Sequence, residues 1–155
     1  MPRLELPGSH VHTSFLAAMA EFRAEGRGAA GDHSMIGGEI RTFSETWDTR
    51  EGFAKYLSHL SAQTDPTAEQ RATMVPATTY WWVEGDEYLG RVAIRHELND
   101  ALRDEGGHIG YDVRPTARRL GHGTAMLHEA LTVCSALGIS EALVTCAAEN
   151  VASAR

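Results

Sequence analysis

The chain has 155 residues, of which 43% are apolar, and carries a formal net charge of −7 at pH 7. This length and composition suit one globular domain with a sizeable core, so we expect a single domain over residues 1–155. No run approaches the roughly 20 apolar residues of a membrane span, and the N-terminus lacks the apolar core of a signal peptide. An acidic chain is also poorly suited to bind the nucleic-acid backbone. We therefore expect a cytoplasmic protein with no nucleic-acid or membrane partner.

The first third of the chain predicts a short strand, a helix and a loop. Residues 4–6 can form the strand, and Ser9 is placed to cap the helix, whose apolar stripe runs through residues 11–22. Residues 26–38 are rich in glycine and small polar residues, which predicts a loop.

A second helix and a hairpin come next. Asp48 and Glu51 have the spacing of a capping box, and the apolar stripe of the helix follows at Phe53, Tyr56, Leu57 and Leu60. Two β-rich runs, residues 78–83 and 88–94, flank a Gly-Asp turn and predict an antiparallel hairpin.

A strand, a glycine-containing turn and a helix follow in the last third. Residues 108–113 predict a strand that stops before Pro115, since proline cannot continue a central ladder. From Thr124 onward a helical stripe runs to a cap at Gly138, with apolar residues at Met126, Leu127, Ala130, Leu131, Cys134 and Leu137. The two cysteines, Cys134 and Cys146, predict buried free thiols. No Cys or His pair has zinc-site spacing, so we expect no metal.

The turn at residues 118–123 carries the clearest functional signal. Glycines after a strand often do no more than turn the chain, but at a helix N-terminus unpaired N–H groups and the positive end of the dipole also converge on anions. We therefore predict a phosphate or pyrophosphate site here. A Walker loop is disfavoured because Thr124 and Ala125 follow Gly123 where Lys and Ser or Thr are needed. A dinucleotide fold is disfavoured because Met126 stands where a third glycine is expected.

This turn resembles the acyl-CoA motif of the GNAT N-acetyltransferases. Arg118, Gly121 and Gly123 match the fixed positions of that motif, which follows a strand ending in Val-x-Pro. Residues 143–146 resemble the fifth strand of the family, and residues 149–154 resemble the Asn-x-x-Ser/Ala start of its next helix. The resemblance implies that acetyl-CoA is the co-substrate and an amine is the acceptor.

The resemblance covers the second half of the chain most closely. Residues 94–100 and 106–111 are similar to a bacterial subgroup of predicted acetyltransferases. Residues 77–155 would form the acyl-CoA-binding core, and residues 1–76 would shape the acceptor side. Family members continue beyond the position of Arg155 with a full helix and two strands, which implies a truncated chain whose exposed sheet edge would favour a homodimer.

The implied fold is α/β, with a mixed, mostly antiparallel central sheet flanked by helices. The sheet would splay open after the strand that ends at Val113, and acyl-CoA would enter the gap. On the family pattern, backbone N–H groups of Tyr111, Asp112 and Val113 would hold the acyl carbonyl and pantetheine, and Asn150 would contact the pantetheine. The pyrophosphate would lie near Arg118 and Arg119, on the N–H groups of Leu120, Gly121, His122, Gly123 and Thr124.

Transfer to an amine also requires a base, because an amine like that of lysine has a pKa of about 10.4 and must lose a proton before it attacks. Glu97 and His108 are the first candidates, since one closes the third strand and the other opens the fourth. His96 and Asp112 are weaker candidates. Two other functions remain open from the sequence: a non-catalytic acyl-CoA-binding module and an interaction domain with no ligand.

Overall fold

A computed structural model describes residues 1–72, 74–98 and 108–139. In these ranges the chain forms a four-stranded sheet in the order β1-β2-β3-β4, and every neighbouring pair is antiparallel. Helices cover both faces of the sheet, so the predicted α/β class with a mostly antiparallel sheet is confirmed. The strands are β1 (Arg3–Glu5), β2 (Ala77–Glu84), β3 (Glu87–Arg95) and β4 (Ile109–Val113).

Four α-helices lie in the described ranges: α1 (His12–Ala24), α2 (Met35–Phe43), α3 (Arg50–Ala62) and α4 (His122–Ala136). A 3-10 turn, Pro115–Ala117, connects β4 to the segment before α4. None of these described helices is both long and apolar enough to cross a membrane. Gly138 adopts a left-handed φ of +83° just beyond α4, as its predicted capping role requires.

Two apolar cores lie on opposite faces of the sheet because the neighbouring residues Trp81 and Trp82 of β2 point to opposite sides. Trp81 faces α1 and α3, where the Phe15 ring stacks on it with a centroid distance of 5.1 Å. Trp82 faces α4 and packs in a cluster with Met126 and Cys134. The predicted burial of Cys134 is confirmed, whereas Cys146 lies outside the described residues.

The predicted loop over residues 26–38 is confirmed for residues 26–34, but it was wrong for residues 35–38, which begin helix α2. Its composition, Met35-Ile36-Gly37-Gly38, disfavours a helix, but the Ser34 hydroxyl caps it by accepting a hydrogen bond from the Gly37 N–H at 3.1 Å. Ile36 and Ile40, one turn apart, are both buried in the core beside α1. Tertiary packing and a cap thus outweigh the low helix propensity of the two glycines.

The predicted caps of the first and third helices were wrong by a few residues. Ser9 begins a 3-10 turn, Ser9–Val11, and α1 itself starts at His12. Thr49, and not Asp48, caps α3, because its hydroxyl accepts a hydrogen bond from the Gly52 N–H at 3.0 Å.

The predicted hairpin of β2 and β3 is confirmed, with Gly85 in the turn at a φ of +63°. The pairing shifts register between Trp82, which pairs with Gly90, and Val83, which pairs with Tyr88. A Cβ atom at Gly90 would lie 2.7 Å from the Asp112 carbonyl oxygen, so glycine at this position allows β4 to approach β3 closely. The hairpin therefore fixes the position of β4, the strand that leads into the candidate site.

Candidate functional site

The segment between β4 and α4 combines left-handed backbone conformations with backbone N–H groups that lack acceptors. Arg119 and Gly121 both have left-handed backbones, with φ of +64° and +86°, and α4 starts directly after them. No side chain caps α4. Within the described part of the chain, the N–H groups of residues 119–124 meet no hydrogen-bond acceptor. Alternating backbone conformations that aim successive N–H groups inward make an anion-binding nest, and we call residues 119–124 the nest.

The two glycines of the nest have different roles. Gly121 has open space around its Cα, but its positive φ would strain most other residues by about 1 kcal/mol. Gly123 has an ordinary helical backbone, and a Cβ there would lie 3.6 Å from the Tyr111 ring and 3.8 Å from Val113. A Cβ atom at Gly123 would thus make ordinary van der Waals contact with β4, so this position would tolerate alanine, whereas Gly121 shapes the nest itself.

Arg118 is predicted to support a pyrophosphate. In the structure its side chain joins the segment before the nest to the end of α1, and we call its hydrogen bonds with Glu25 and Val113 the clasp. Its two terminal nitrogens donate to the Glu25 carboxylate at 2.7 and 2.8 Å. Its Nε donates to the Val113 carbonyl at 3.1 Å. The guanidinium also lies over the Phe22 ring, 5.9 Å from its centroid. Arg118 therefore fixes the entrance of the nest, while Arg119 is exposed beside it.

His122, the first residue of α4, is anchored to the sheet. Its Nδ1 accepts a hydrogen bond from the Trp82 indole N–H at 3.0 Å. A ring nitrogen that accepts carries no proton, so in this arrangement a neutral His122 holds its proton on Nε2. The Trp82 contact thus positions the first turn of α4 relative to the sheet.

The two edges of β4 have different hydrogen-bonding roles. The Arg95 N–H donates to the His108 carbonyl at 2.7 Å, and the pairing register extends this ladder to Asp112 opposite Arg91. Alternation then directs the backbone groups of Tyr111 and Val113 to the other edge. Of the three backbone N–H groups predicted to bind the carbonyl, that of Asp112 therefore points toward β3. The N–H groups of Tyr111 and Val113 lie on the edge of β4 that faces away from β3.

The Asp112 side chain faces α1 and α2 and is held by Arg27. Arg27 Nη2 donates to Asp112 Oδ1 at 2.7 Å, and Arg27 Nη1 donates to the Ser34 hydroxyl at 3.2 Å. Burial acts to lower the pKa of Arg27, but the Asp112 and Glu25 carboxylates outweigh it and raise that pKa above its ordinary value. An Asp112 carboxylate engaged by a guanidinium is a poor candidate for the base.

The other candidate bases lie at the opposite end of β4. Glu97 is exposed two residues beyond β3, and His108 is partly buried directly before β4. His96 is engaged differently, because its Nε2 is within hydrogen-bond distance, 2.8 Å, of the Thr78 hydroxyl. At about 3.4 Å per residue, His108 and Val113 are separated by roughly 17 Å along the strand. The nest and the candidate bases thus lie at the two ends of one strand.

Comparison with known proteins identifies the family of this chain. The model of the acetyltransferase (GNAT) family matches residues 40–155, which include β2 to β4, the nest and α4. The chain belongs to the GNAT acetyltransferase family. This family transfers acyl groups from acyl-CoA to an acceptor, so acyl-CoA is the ligand class expected of this chain. Neither the curated proteins nor the solved structures gave a match.

Three residues of the candidate site were missed by sequence reasoning: Glu25, Arg27 and Trp82. They contact Arg118, Asp112 and His122 across 93, 85 and 40 positions of the chain. The only local signal is on α1, where Glu21 and then Glu25 stand one turn apart outside the apolar stripe. Glu21 also contacts the residue that directly follows β4, because its carboxylate accepts a hydrogen bond from Arg114 Nε at 2.5 Å. Asn150 and the predicted strand at residues 143–146 lie outside the described residues.

The clasp predicts an acid-sensitive contribution to stability. The Arg118 hydrogen bonds lower the pKa of Glu25 below its ordinary value of 4.5, although burial opposes them. A lowered folded pKa gives stability above about pH 4.5 that is lost as the pH falls through the folded pKa. We expect Glu25→Gln to lower the free energy of unfolding at pH 7 by up to about 1 kcal/mol, with the difference shrinking below pH 4.5. Urea unfolding at a series of pH values measures it.

Glu45→Gln is the matched control for this prediction, because Glu45 is exposed and makes no hydrogen bond in the described part of the chain. A Glu25→Gln effect that stays constant down to pH 3, or one no larger than that of Glu45→Gln, would contradict the role of the clasp.

Proposed function

We propose that this chain is an acetyl-CoA-dependent N-acetyltransferase that acts on a primary amine of a small molecule or peptide. The observation that carries the proposal is the nest of unpaired N–H groups at the carboxyl end of β4, continuous with an edge of β4 that is not paired to β3. Acetyl-CoA supplies both the activated thioester and a pyrophosphate that the nest would bind. We further propose that residues 1–155 act as one domain, with residues 1–76 on the acceptor side and residues 77–155 as the acyl-CoA core.

The nest suits a pyrophosphate on chemical grounds. Each N–H left without an acceptor at a helix start favours an anion, and the positive end of the α4 dipole adds to this attraction. The residues that would hold the pyrophosphate are Leu120, Gly121, His122, Gly123 and Thr124, with Arg119 exposed beside them. Arg118 contributes indirectly, because its contacts with Glu25 and Val113 position the chain that enters the nest.

The acyl carbonyl would be held along β4. The N–H groups of Tyr111 and Val113 lie on the edge that faces away from β3. A backbone donor fixed in a strand stabilises negative charge that develops on a carbonyl oxygen, because it needs little reorganisation. The ladder with β3 and the packing of Gly123 against Tyr111 keep this edge in place.

We propose Glu97 as the base, with His108 as the second candidate. The base takes a proton from the acceptor ammonium, and the neutral amine nitrogen then forms a bond to the thioester carbonyl carbon. The carbon–sulfur bond breaks, the attached nitrogen loses its second proton to leave the amide, and the departing thiolate takes up that proton to become the free thiol of CoA. Glu97 and His108 lie at the amino end of β4, so they would take the proton from the amine through intervening water and not in direct contact with an acyl carbonyl held at Tyr111 or Val113.

Thiol release from acetyl-CoA over a panel of primary amines tests the proposed reaction. We expect amine-dependent release by the intact chain and a decrease in kcat of about a hundredfold in Glu97→Gln, with little change in KM for acetyl-CoA. Glu87→Gln is the matched control, because Glu87 is exposed at the other end of β3. CoA binding without any amine-dependent release would indicate a non-catalytic acyl-CoA-binding module.

A further inference from the structure

A cleft of about 360 Å3 lies on the side of the molecule where α1 ends and α2 ends. We call it the arginine cleft because three of its lining residues are Arg23, Arg27 and Arg41, and none of its lining residues is acidic. The other walls are residues 26–29 of the loop after α1, with Ile40 and Ser44. Three guanidinium groups around one cleft are unexpected in a chain with a net charge of −7.

The walls of the cleft are fixed by packing between the loop and α2. Gly28 has a left-handed φ of +92°, and a Cβ there would lie 2.8 Å from Ile40 Cγ2, so this loop sits directly on α2. Its N–H donates to the Asp32 carboxylate at 2.9 Å. These contacts hold the loop against α2, and a wall held in this way suits a preformed ligand site.

Two of the three arginines carry charge that no carboxylate neutralises in the described part of the chain. Arg41 Nη1 donates only to backbone carbonyls, those of Ala29 at 2.9 Å and Asp32 at 2.8 Å. Arg23 is exposed and makes no hydrogen bond or ion pair there. Guanidinium groups with donors to spare bind carboxylate and phosphate oxygens well, because their planar N–H pairs match these anions.

Arg27 connects the cleft to the proposed acyl-CoA strand. It lines the cleft, and its guanidinium forms ion pairs with Asp112 of β4 at 2.7 Å and with Glu25 at 3.5 Å. Glu25 in turn holds Arg118 at the entrance of the nest. An anion in the cleft would therefore share Arg27 with two groups that position the site.

We propose that the arginine cleft binds a small oxyanion, the phosphate or carboxylate group of a metabolite, through Arg23 and Arg41. The group belongs either to the amine acceptor or to a separate effector, and its recognition chemistry is the same in both cases. The cleft shares no lining residue with the nest, which would bind an anion through backbone N–H groups.

Calorimetry with inorganic phosphate tests the cleft at constant ionic strength. The Gly121→Asp background closes the nest to phosphate, so the remaining binding reports on the cleft. We expect binding that weakens by about tenfold or more in Arg23→Glu and in Arg41→Gln. Arg23 makes no contact that folding needs, which keeps the test informative if Arg41→Gln disturbs the loop. Arg50→Gln, an exposed arginine on α3 outside the cleft, is the matched control and should bind as before.

Equal phosphate binding by the Gly121→Asp protein with and without Arg23→Glu, or no phosphate binding by the Gly121→Asp protein, would overturn the proposal. Because this titration uses no acetyl-CoA, it is independent of the proposed transferase activity. In the transfer assay, Arg23→Glu should raise KM for an amine that carries a carboxylate, but not for its neutral amide, if the anion is part of the acceptor. A phosphate-dependent change in the rate with a neutral amine would assign the cleft to a separate effector.

Discussion

Replacing Gly121 with Asp is expected to weaken acetyl-CoA binding by about a hundredfold. The substitution places a carboxylate inside a nest whose N–H groups attract anions, and it replaces charge-assisted hydrogen bonds with repulsion. KM for acetyl-CoA should rise accordingly. The increase in melting temperature that CoA gives the parent protein by mass action should disappear in the variant.

Gly121→Asn is the matched control for this experiment. Asn has nearly the shape of Asp, tolerates the left-handed backbone that φ of +86° requires, and carries no charge. We expect it to keep most of the CoA affinity, so the difference between the two variants isolates charge from backbone strain. Equal CoA affinity in Gly121→Asp and Gly121→Asn would mean that the pyrophosphate does not bind at the nest.

Replacing Glu39 with Gln is expected to lower the free energy of unfolding by about 3–5 kcal/mol, a large part of the stability of a domain this size. The buried carboxylate of Glu39 forms an ion pair with Arg91 of β3, whose side chain is only 2% exposed. The same carboxylate accepts a hydrogen bond from the Tyr56 hydroxyl at 2.5 Å. Burial, and then the Glu39 charge, raise the pKa of Tyr56 well above its ordinary value, so Tyr56 stays a donor. Removing the carboxylate leaves a buried guanidinium without its counter-ion.

The double variant Glu39→Met, Arg91→Met separates the loss of the pair from the burial of an unmatched charge. We expect it to be more stable than Glu39→Gln, since apolar replacements of a buried ion pair avoid its desolvation cost. Guanidinium chloride unfolding of the three proteins measures the difference. A Glu39→Gln variant within about 1 kcal/mol of the parent protein would show that solvent reaches Arg91.

The sheet and the nest were predictable from the sequence because their signals are local. The hairpin of β2 and β3 follows from alternating β-rich residues around Gly85, and the nest follows from a strand that stops at Pro115 and a helical stripe that begins after Gly123. Such patterns reflect backbone geometry over a few residues, which a single sequence displays directly.

The parts that were missed depend on contacts between distant residues. Helix α2 has two glycines in its first turn and becomes helical only because Ser34 caps it and Ile36 and Ile40 are buried against α1. Glu25 and Arg27, the partners of Arg118 and Asp112, follow the end of α1. Which residues meet depends on how that helix packs against the end of β4. The sequence shows charged residues in both places, but it does not show which of them meet.

Backbone amide shifts on addition of CoA test the central claim most directly, because the proposed ligands are the N–H groups themselves. In a titration followed by 15N-edited NMR, we expect the largest shifts for the amides of residues 120–124, with Val113 on the edge of β4 also affected. Amides of the β1 and β2 pairing, on the far side of the sheet, should change little. If CoA binds and the amides of residues 120–124 do not shift, the nest is not its pyrophosphate site and the account is wrong.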